Sequence, residues 1–401
     1  MVCGSFGELY GQNPGGMIVP SDSVMKDKDT SGQRDLIGLF VQWTHWKSSK
    51  PRREDGRKFY FSLLPFGTSV PGGGAALITS TTAGFYMGPK KTTSLSSITF
   101  SPSTNFAGKF SIPFSSNIWS ANNAWNFNGE LRFQYFPQYT WGTGGFKPQS
   151  DRILIQYSYL RLYQNALKQI KPYLYAGIGY NMDYHIKIRP AIDSIQLGKY
   201  ANYDYGTARN SNSFSSGLTF NILYDARNNA LNPLPGWYWN ASYRVNPKFL
   251  GSDDFWSSLY LDARKYIPFE KDRQNMLAIW TFFWTAFGQK TPYLDLPAIG
   301  EDFRGKSGRG IYTGHYMGQT LYYLEAEYRR DITADGLFGF VVFANANAVT
   351  EPHTDRFSYI HPAGGAGLRI KFNKKSGTNI TIDYAGSKGY SGIYLGLGEA
   401  F

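Results

Sequence analysis

Histidine, cysteine and carboxylate side chains are the first candidates for chemistry in this sequence. The single cysteine, Cys3, excludes an intrachain disulfide and a cysteine-based metal cluster. No nucleophile elbow, zinc-protease motif, phosphate-binding loop or dinucleotide-binding motif occurs. Five histidines are scattered along the chain without the spacing of metal ligands: His45, His185, His315, His353 and His361. The sequence therefore predicts a protein that is not an enzyme and that binds no cofactor and no metal.

Charge gives a second set of candidates. Lys and Arg number 41 against 29 Asp and Glu, which leaves a formal net charge of +12. Such a balance suits nucleic acid, anionic lipid head groups, or charges in loops and in a lumen. The one loosely basic stretch, Lys47 to Lys58, is interrupted by Glu54 and Asp55, and no RNA-binding signature accompanies it. We therefore expect no nucleic acid partner.

The elements that must position these charges are short strands. The chain has 44 glycines, 30 tyrosines and 29 phenylalanines, but only 17% charged residues. Its longest nearly apolar run, Met276 to Phe287, is too short for a membrane-spanning helix. Segments of alternating residues separated by turn signals predict sixteen strands. They cover 57–65, 75–87, 94–103, 106–120, 123–138, 154–167, 170–188, 212–227, 236–249, 255–270, 274–288, 319–332, 337–349, 358–373, 379–387 and 392–401.

Alternation within the strands places apolar and polar side chains on opposite faces. In 319–332, Tyr322 and Leu324 oppose Glu325 and Glu327. In the last strand, the apolar face holds Ile393, Leu395, Leu397 and Phe401. An apolar outer face around a polar interior is typical of a transmembrane β-barrel, whereas a soluble β-sandwich, the alternative, turns its apolar face inward. The fold class predicted is all-β, an antiparallel outer-membrane barrel closed by its C-terminal strand.

Connection lengths support a barrel whose two ends lie in the periplasm. The gaps assigned to the periplasmic side are short, such as 121–122 and 168–169, whereas those assigned to the outside include 189–211 and 289–318. We expect residues 1–12 to be a remnant of a signal peptide, 13–56 a polar periplasmic lead-in, and 57–401 the barrel. The terminal Phe401 resembles the recognition signal that outer-membrane barrels present to their assembly machinery.

The long segment 289–318 carries a motif that resembles a known family. It contains Gly308-Arg309-Gly310-Ile311-Tyr312, and a second candidate is Phe303-Arg304-Gly305. The first candidate, with Gly314 to Gly318 and the following strand, resembles the bacterial surface antigen family of BamA/TamA-type assembly proteins. Further similar stretches are 223–244 and the closing hairpins of 367–401. The resemblance implies a loop between strands 11 and 12 that folds into the lumen and carries Gly308, Arg309, Gly310 and Tyr312 as its motif.

An arginine carried into a lumen needs acceptors once it leaves water. Alternation along the predicted strands places Glu325, Glu327 and Asp383 on the side that faces the lumen, and we expect Arg309 to pair with Glu327. Asn345 stands where the family has an acidic residue, so we expect it to serve as a neutral acceptor. The alternative is an ordinary loop arginine that faces water.

The resemblance implies a barrel that helps to insert or translocate polypeptide, or lipid, at the outer membrane. Its partners would be outer-membrane lipid and nascent outer-membrane proteins or lipid, with a homo-oligomer or accessory subunits as further options. Because residues 1–56 are too few for them, we expect this chain to lack the periplasmic POTRA domains usual in the family. Two alternatives stay open, a passive solute pore and a structural or partner-binding barrel. The partner surface would be a lipid-facing aromatic patch of Trp280, Phe283 or Trp284.

Overall fold

The computed structural model describes most of the chain beyond its first 31 residues. The described ranges are 32–44, 60–70, 74–104, 108–135, 137–190, 212–227, 233, 235–269, 275–303, 305–374 and 377–401. Of the predicted lead-in, only 32–44 falls inside them, and the predicted signal-peptide remnant lies outside. Within these ranges, no helix is long and apolar enough to cross a membrane.

The first half of the chain forms eight strands. Two of them are interrupted, so that β3 and β5 each consist of two pieces in line. The strands are β1 Tyr60–Val70, β2 Gly74–Phe85, β3 Ser96–Phe100 with Ser103–Thr104, β4 Phe110–Trp119, β5 Trp125–Tyr135 with Gln138–Thr140, β6 Ile153–Lys171, β7 Leu174–Pro190 and β8 Asn212–Asp225.

The second half adds eight more, all antiparallel to their sequence neighbours. They are β9 Gly236–Asn246, β10 Trp256–Pro268, β11 Asn275–Phe287, β12 Thr320–Asp331, β13 Phe338–Val349, β14 His361–Asn373, β15 Thr378–Ser387 and β16 Tyr390–Leu397. The predicted all-β antiparallel fold is confirmed, and the described residues contain sixteen strands whose bounds differ from the prediction by up to five residues. The predicted closure of the barrel by its C-terminal strand is not seen, because no register joins β16 to β1 among the described residues. The largest difference lies at β1, which ends at Val70 and not at residue 65. At the C-terminus, β16 ends at Leu397 and not at Phe401.

The strands alternate between a lipid-facing and a lumen-facing side. In β9, Trp237, Trp239 and Tyr243 are exposed on the outside, whereas Arg244 and Asn246 are buried inside. In β12, the exposed Tyr322 and Leu324 again oppose buried glutamates. Polar residues line the lumen because the outer face must meet hydrocarbon.

The first and last strands meet without pairing. An antiparallel register joins every neighbouring pair from β1–β2 to β15–β16, with register shifts only in the β6–β7 and β14–β15 pairs. The backbones of β1 and β16 approach each other. Among the described residues, however, no register connects these two strands. The barrel therefore has a seam at which two strand edges face each other without a ladder of hydrogen bonds.

A short helix precedes the barrel. Helix α1, Leu36–Thr44, has the sequence LIGLFVQWT and lies at the periplasmic end of β14. It begins at Asp35, whose side chain accepts a hydrogen bond from the Gly38 amide at 2.7 Å, as an N-cap does. Sequence analysis predicted only a polar lead-in over this segment, so the apolar helix is an addition to that description.

Candidate functional site

The connection between β11 and β12, residues 288–319, folds into the barrel, and we call it the inward loop. Tyr293, Leu296, Ala298 and Ile299 are fully buried in its described parts, 288–303 and 305–319. Leu296 and Ala298 belong to a buried cluster with residues of the β6 wall such as Ile155. A loop on the outer surface would leave such apolar side chains in water, so their burial against the wall places the loop inside the lumen.

Arg309 lies near the tip of the inward loop and is 4% exposed. Its Nη1 donates to Asp383 Oδ2 at 2.6 Å, and its Nη2 donates to both Glu325 and Glu327. Burial alone would lower the pKa of the guanidinium. The nearby carboxylates raise this pKa above its ordinary value, so the group stays charged. The structure thus brings one loop arginine together with three wall carboxylates from β12 and β15.

The ion pairs around Arg309 continue as a network towards the periplasm. Arg329 Nε lies 2.5 Å from Glu327, and Arg369 Nη1 lies 2.5 Å from Asp383. Arg369 Nε also donates to Glu399 at 2.8 Å. Three buried arginines therefore share four buried carboxylates. Each charge has a partner, which low-dielectric surroundings require.

Asn345 contacts the loop in a way that differs from the expectation. Its side-chain Nδ2 donates to the backbone carbonyl of Arg309 at 2.9 Å, so it is a donor and not a neutral acceptor for the guanidinium. The guanidinium instead finds enough acceptors in the three carboxylates. It also stacks 3.5 Å from the ring centroid of Phe343, which stabilises it further as a cation–π contact.

Two glycines let the backbone around Arg309 approach the wall. Gly310 has φ +89°, and its amide donates to Tyr394 Oη at 2.8 Å. A Cβ at this position would lie 2.9 Å from the backbone nitrogen of Gly386. Gly308 has φ +76°, and its amide donates to Tyr323 Oη at 3.1 Å. Both positions combine a left-handed backbone with close packing, so only glycine suits them.

A second anchor holds the beginning of the inward loop on the opposite wall. Asp295 accepts a hydrogen bond from Ser215 Oγ of β8 at 2.6 Å and lies 3.8 Å from His185 Nδ1 of β7. Burial, and then the negative charge of Asp183, raise the pKa of Asp295 to about 7. Sequence analysis did not find this anchor, because Asp295 carries no motif of its own. The loop is therefore held on two sides of the lumen.

Aromatic rings close the extracellular side of the loop. The ring of Tyr312, in the loop motif, lies 5.6 Å from Trp141 and 3.8 Å from Tyr390. His315 stacks between Trp141 and Tyr316 at 4.3 and 4.2 Å. Burial lowers the pKa of His315, and its Nε2 is 2.8 Å from the Lys147 carbonyl. These contacts give His315 a packing role and join the inward loop to the loop that follows β5.

The C-terminal residue corrects one expectation. Phe401 does not lie on the lipid face with Ile393 and Leu395; it is 2% exposed inside the barrel. The chain turns at Gly398, with φ +82°, after which the Phe401 ring packs 5.2 Å from Trp280. Arg329 Nη2 donates to the Phe401 carbonyl at 3.1 Å. Phe401 therefore packs against aromatic rings of the lumen wall and does not continue the outward-facing series of β16.

The aromatic patch proposed for β11 is also corrected. Trp280 is fully buried and packs with Phe282 and Tyr323 inside the barrel. Trp284 lies on the same inner face and packs against this cluster. Of the three predicted patch residues, Phe283 is the one on the outward-facing side of β11. The lumen face of β11 is apolar because the inward loop and the C-terminus cover it in place of water.

The rest of the lumen contains a polar cavity of about 580 Å³. Side-chain amides form a chain of hydrogen bonds along its wall at 2.7–3.1 Å: Asn117, Asn126, Asn128, Asn165 and Asn221. Buried ion pairs, such as Arg264 with Asp262 at 2.6 Å, line the other side. Among the residues that the structure describes, no cluster of His, Cys, Asp and Glu is placed to hold a metal ion.

The second motif candidate lies elsewhere in the loop. The Phe303 ring faces Tyr163 at 6.3 Å on the cavity wall, and Arg304 lies outside the described residues. Gly305 has a left-handed backbone with φ +60°. Phe303 and Gly305 line the cavity and do not belong to the Arg309 network.

The sequence matches a known family, and the fold is similar to solved structures. The model of the Omp85 superfamily domain matches residues 92–401. The fold is similar to that of BamA from Haemophilus ducreyi lacking POTRA domains 1-3, with a TM-score of 0.52 and 15% identity over 85% of this chain and 69% of that chain. It is also similar to CdiB from Escherichia coli, with a TM-score of 0.57 and 9% identity over 87% of this chain and 63% of that chain.

At these identities the two structures show a shared fold alone. The chain spans less than two thirds of the CdiB chain. No curated protein matches the sequence.

Proposed function

The chain belongs to the Omp85 superfamily of outer-membrane β-barrels, and from this membership we propose that it inserts polypeptide into the outer membrane or moves it across. Members of this superfamily are non-enzymatic transporters or insertases that work with partner proteins and substrates in the outer membrane. We infer that the substrate here is an unfolded polypeptide that has still to pair its backbone.

The observation that carries this proposal is the seam between β1 and β16. Among the described residues, two strand edges face each other there without a register, and the unpaired backbone N–H and C=O groups of a strand edge are a template on which a further strand can pair. Gly396 lies in β16, where the lack of a side chain weakens strand packing. A substrate strand would add to one of these edges, and the seam would open towards the lipid as it does so.

The inward loop supports the same proposal from the lumen side. The Arg309 network joins the loop to β12 and β15, and Asp295 joins it to β8. We infer that these anchors keep the wall in place while the seam opens.

A passive solute pore is the second candidate, and the polar cavity favours it. Its amide chain and buried ion pairs are the kind of wall that water and small solutes contact in a channel. The inward loop argues against a steady open pathway, because its apolar residues and its aromatic contacts occupy the extracellular side of the lumen. A structural or partner-binding barrel has less support, since Trp280 and Trp284 face the lumen.

The proposal is tested by insertion of a substrate into liposomes. Purified protein is reconstituted in vesicles of phosphatidylethanolamine and phosphatidylglycerol, and a urea-unfolded eight-stranded barrel is added. The fraction folded is followed by its heat-modifiable gel mobility, and we expect faster folding than in vesicles that hold a closed barrel of similar diameter. Equal rates in both vesicle types would contradict the proposal, because the closed barrel controls for simple disturbance of the bilayer.

A further inference from the structure

Helix α1 is fastened to two periplasmic turns of the barrel. Asp35 Oδ2 accepts a hydrogen bond from the Lys374 amide at 2.7 Å, in the turn after β14. Lys374 Nζ donates to the Gln33 carbonyl at 2.9 Å. The Arg34 amide donates to the Asp335 carbonyl at 3.1 Å, in the turn after β12. The start of the helix therefore has a fixed position at the periplasmic rim.

The helix lies against the outer surface of the barrel and not against its lumen. Phe372 lies at a β-bulge of β14, but the alternation continues through it, because Asn373 is buried like Arg369. Phe372 therefore shares the outward parity of the exposed Leu368. Together with Phe372, residues of α1 form an apolar groove: Leu36, Ile37, Leu39, Phe40 and Trp43. Leu36 and Leu39 are half-buried there, which places one side of the helix on the lipid-facing wall.

Three apolar side chains of the described part of α1 are largely exposed. Phe40 is 53% exposed and Trp43 is 79% exposed, and their rings contact each other at 6.3 Å. Ile37 is also exposed, one turn earlier on the helix. Exposure of such a patch to water is unfavourable in proportion to its apolar area. Gln42, by contrast, is a polar exposed residue between them.

This apolar patch is continuous with the belt of the barrel that meets lipid. Phe338 of β13 pairs with Ile370 of β14, and both have the outward parity directly beside Phe372. Phe338 is exposed on this outer face, as are Leu368 of β14 and Ile382 of β15. Hydrocarbon and head groups therefore already surround the place where α1 is attached, and the same lipid is the nearest cover for Phe40 and Trp43.

We propose that α1 is an interfacial helix that lies in the periplasmic leaflet of the outer membrane, with Phe40 and Trp43 among the lipid head groups and upper acyl chains. Tryptophan prefers this zone because its ring is apolar and its N–H is polar. The proposal does not depend on whether the barrel inserts polypeptide.

The test compares two neighbouring positions on the helix in the full-length protein. Cys3→Ser removes the native thiol, and Trp43→Cys or Gln42→Cys then carries an environment-sensitive fluorophore. The labelled proteins are placed singly in nanodiscs of phosphatidylethanolamine and phosphatidylglycerol, with and without lipids that carry a quencher near the head group. Both positions are exposed, so neither substitution removes a packing contact of the barrel.

We expect the label at position 43 to emit further to the blue and to be quenched by the lipid at least about twofold more than the label at position 42. Equal, weak lipid quenching at both positions, with strong quenching by aqueous iodide, would overturn the proposal in favour of a helix in the periplasm. Protection of position 43 from both lipid and iodide would overturn it too, since protein would then cover the patch.

Discussion

The guanidinium of Arg309 lies 2.6 Å from the carboxylate of Asp383, a residue 74 positions further along the chain. Asp383 also accepts from Arg369, and Arg309 also binds Glu325 and Glu327. Removal of one member leaves buried charges without a partner, which costs about 3–5 kcal/mol for a buried pair. The position of the loop tip therefore depends on the ion pairs of Arg309.

Gly310→Ala should displace the tip of the inward loop. The new Cβ would meet the Gly386 backbone at 2.9 Å, and φ +89° is unfavourable for alanine. Trypsin cleavage after Arg309, detected by mass spectrometry, measures the displacement, and we expect the variant to be cut much faster than the wild type. Gly288→Ala is the matched control, because φ is +93° there but no atom lies within 4 Å. Equal cleavage of both variants would contradict the close approach at Gly310.

Asp295→Asn should change how the stability of the barrel depends on pH. Burial and the charge of Asp183 raise the folded-state pKa of Asp295 to about 7, from an ordinary value of 3.8. Folding therefore favours the protonated form of Asp295. The stabilisation that results is complete below the ordinary pKa of 3.8 and is lost as the pH rises through about 7. The unfolding midpoint of the wild type in detergent should fall between about pH 4 and pH 7 and then stay level, and that of the variant should change less over this range. If the unfolding midpoints of the two proteins changed in parallel with pH, the raised pKa of Asp295 would be contradicted.

Phe401→Ala should destabilise the folded barrel itself. The ring is buried against Trp280, and loss of a buried phenylalanine side chain costs about 3–5 kcal/mol. The heat-modifiable gel shift of protein refolded in detergent measures this effect without any assembly machinery. Ile393→Ala, at an exposed position of β16, is the control. Wild-type stability of Phe401→Ala would mean that this aromatic residue serves only before folding, as the recognition signal that the sequence suggests.

The sequence predicted the strands well because alternation requires two different environments. Leu324 beside Glu325 can be assigned to faces, since lipid lies on one side of β12 and buried charge on the other. The same reasoning failed for Trp280 in β11. There, the inward loop and Phe401 cover the lumen face, so this face is apolar as well. When both faces of a strand are apolar, the sequence no longer shows which residues point inward. Helix α1 was missed because nine residues give too short a periodic pattern.

The candidate site was accessible from the sequence only in part. Arg309, Glu325, Glu327 and Asp383 were singled out by charge, parity and resemblance, and the structure brings these four together. Asp295 could not be identified in this way, because the sequence does not show that it is buried against β7 and β8, and this burial is what raises its pKa. Those contacts exist only once the loop is folded inside the barrel.

The most direct test of the account is single-channel conductance of the wild type and of Arg309→Ala in a planar bilayer. Arg309→Lys is included, because it keeps the charge but cannot reach three carboxylates with a planar fork of donors. We predict a nearly silent wild type, brief openings in Arg309→Ala, and intermediate behaviour of the lysine variant. A large, steady conductance that is the same in all three proteins would contradict the account, since the inward loop would then not close the lumen.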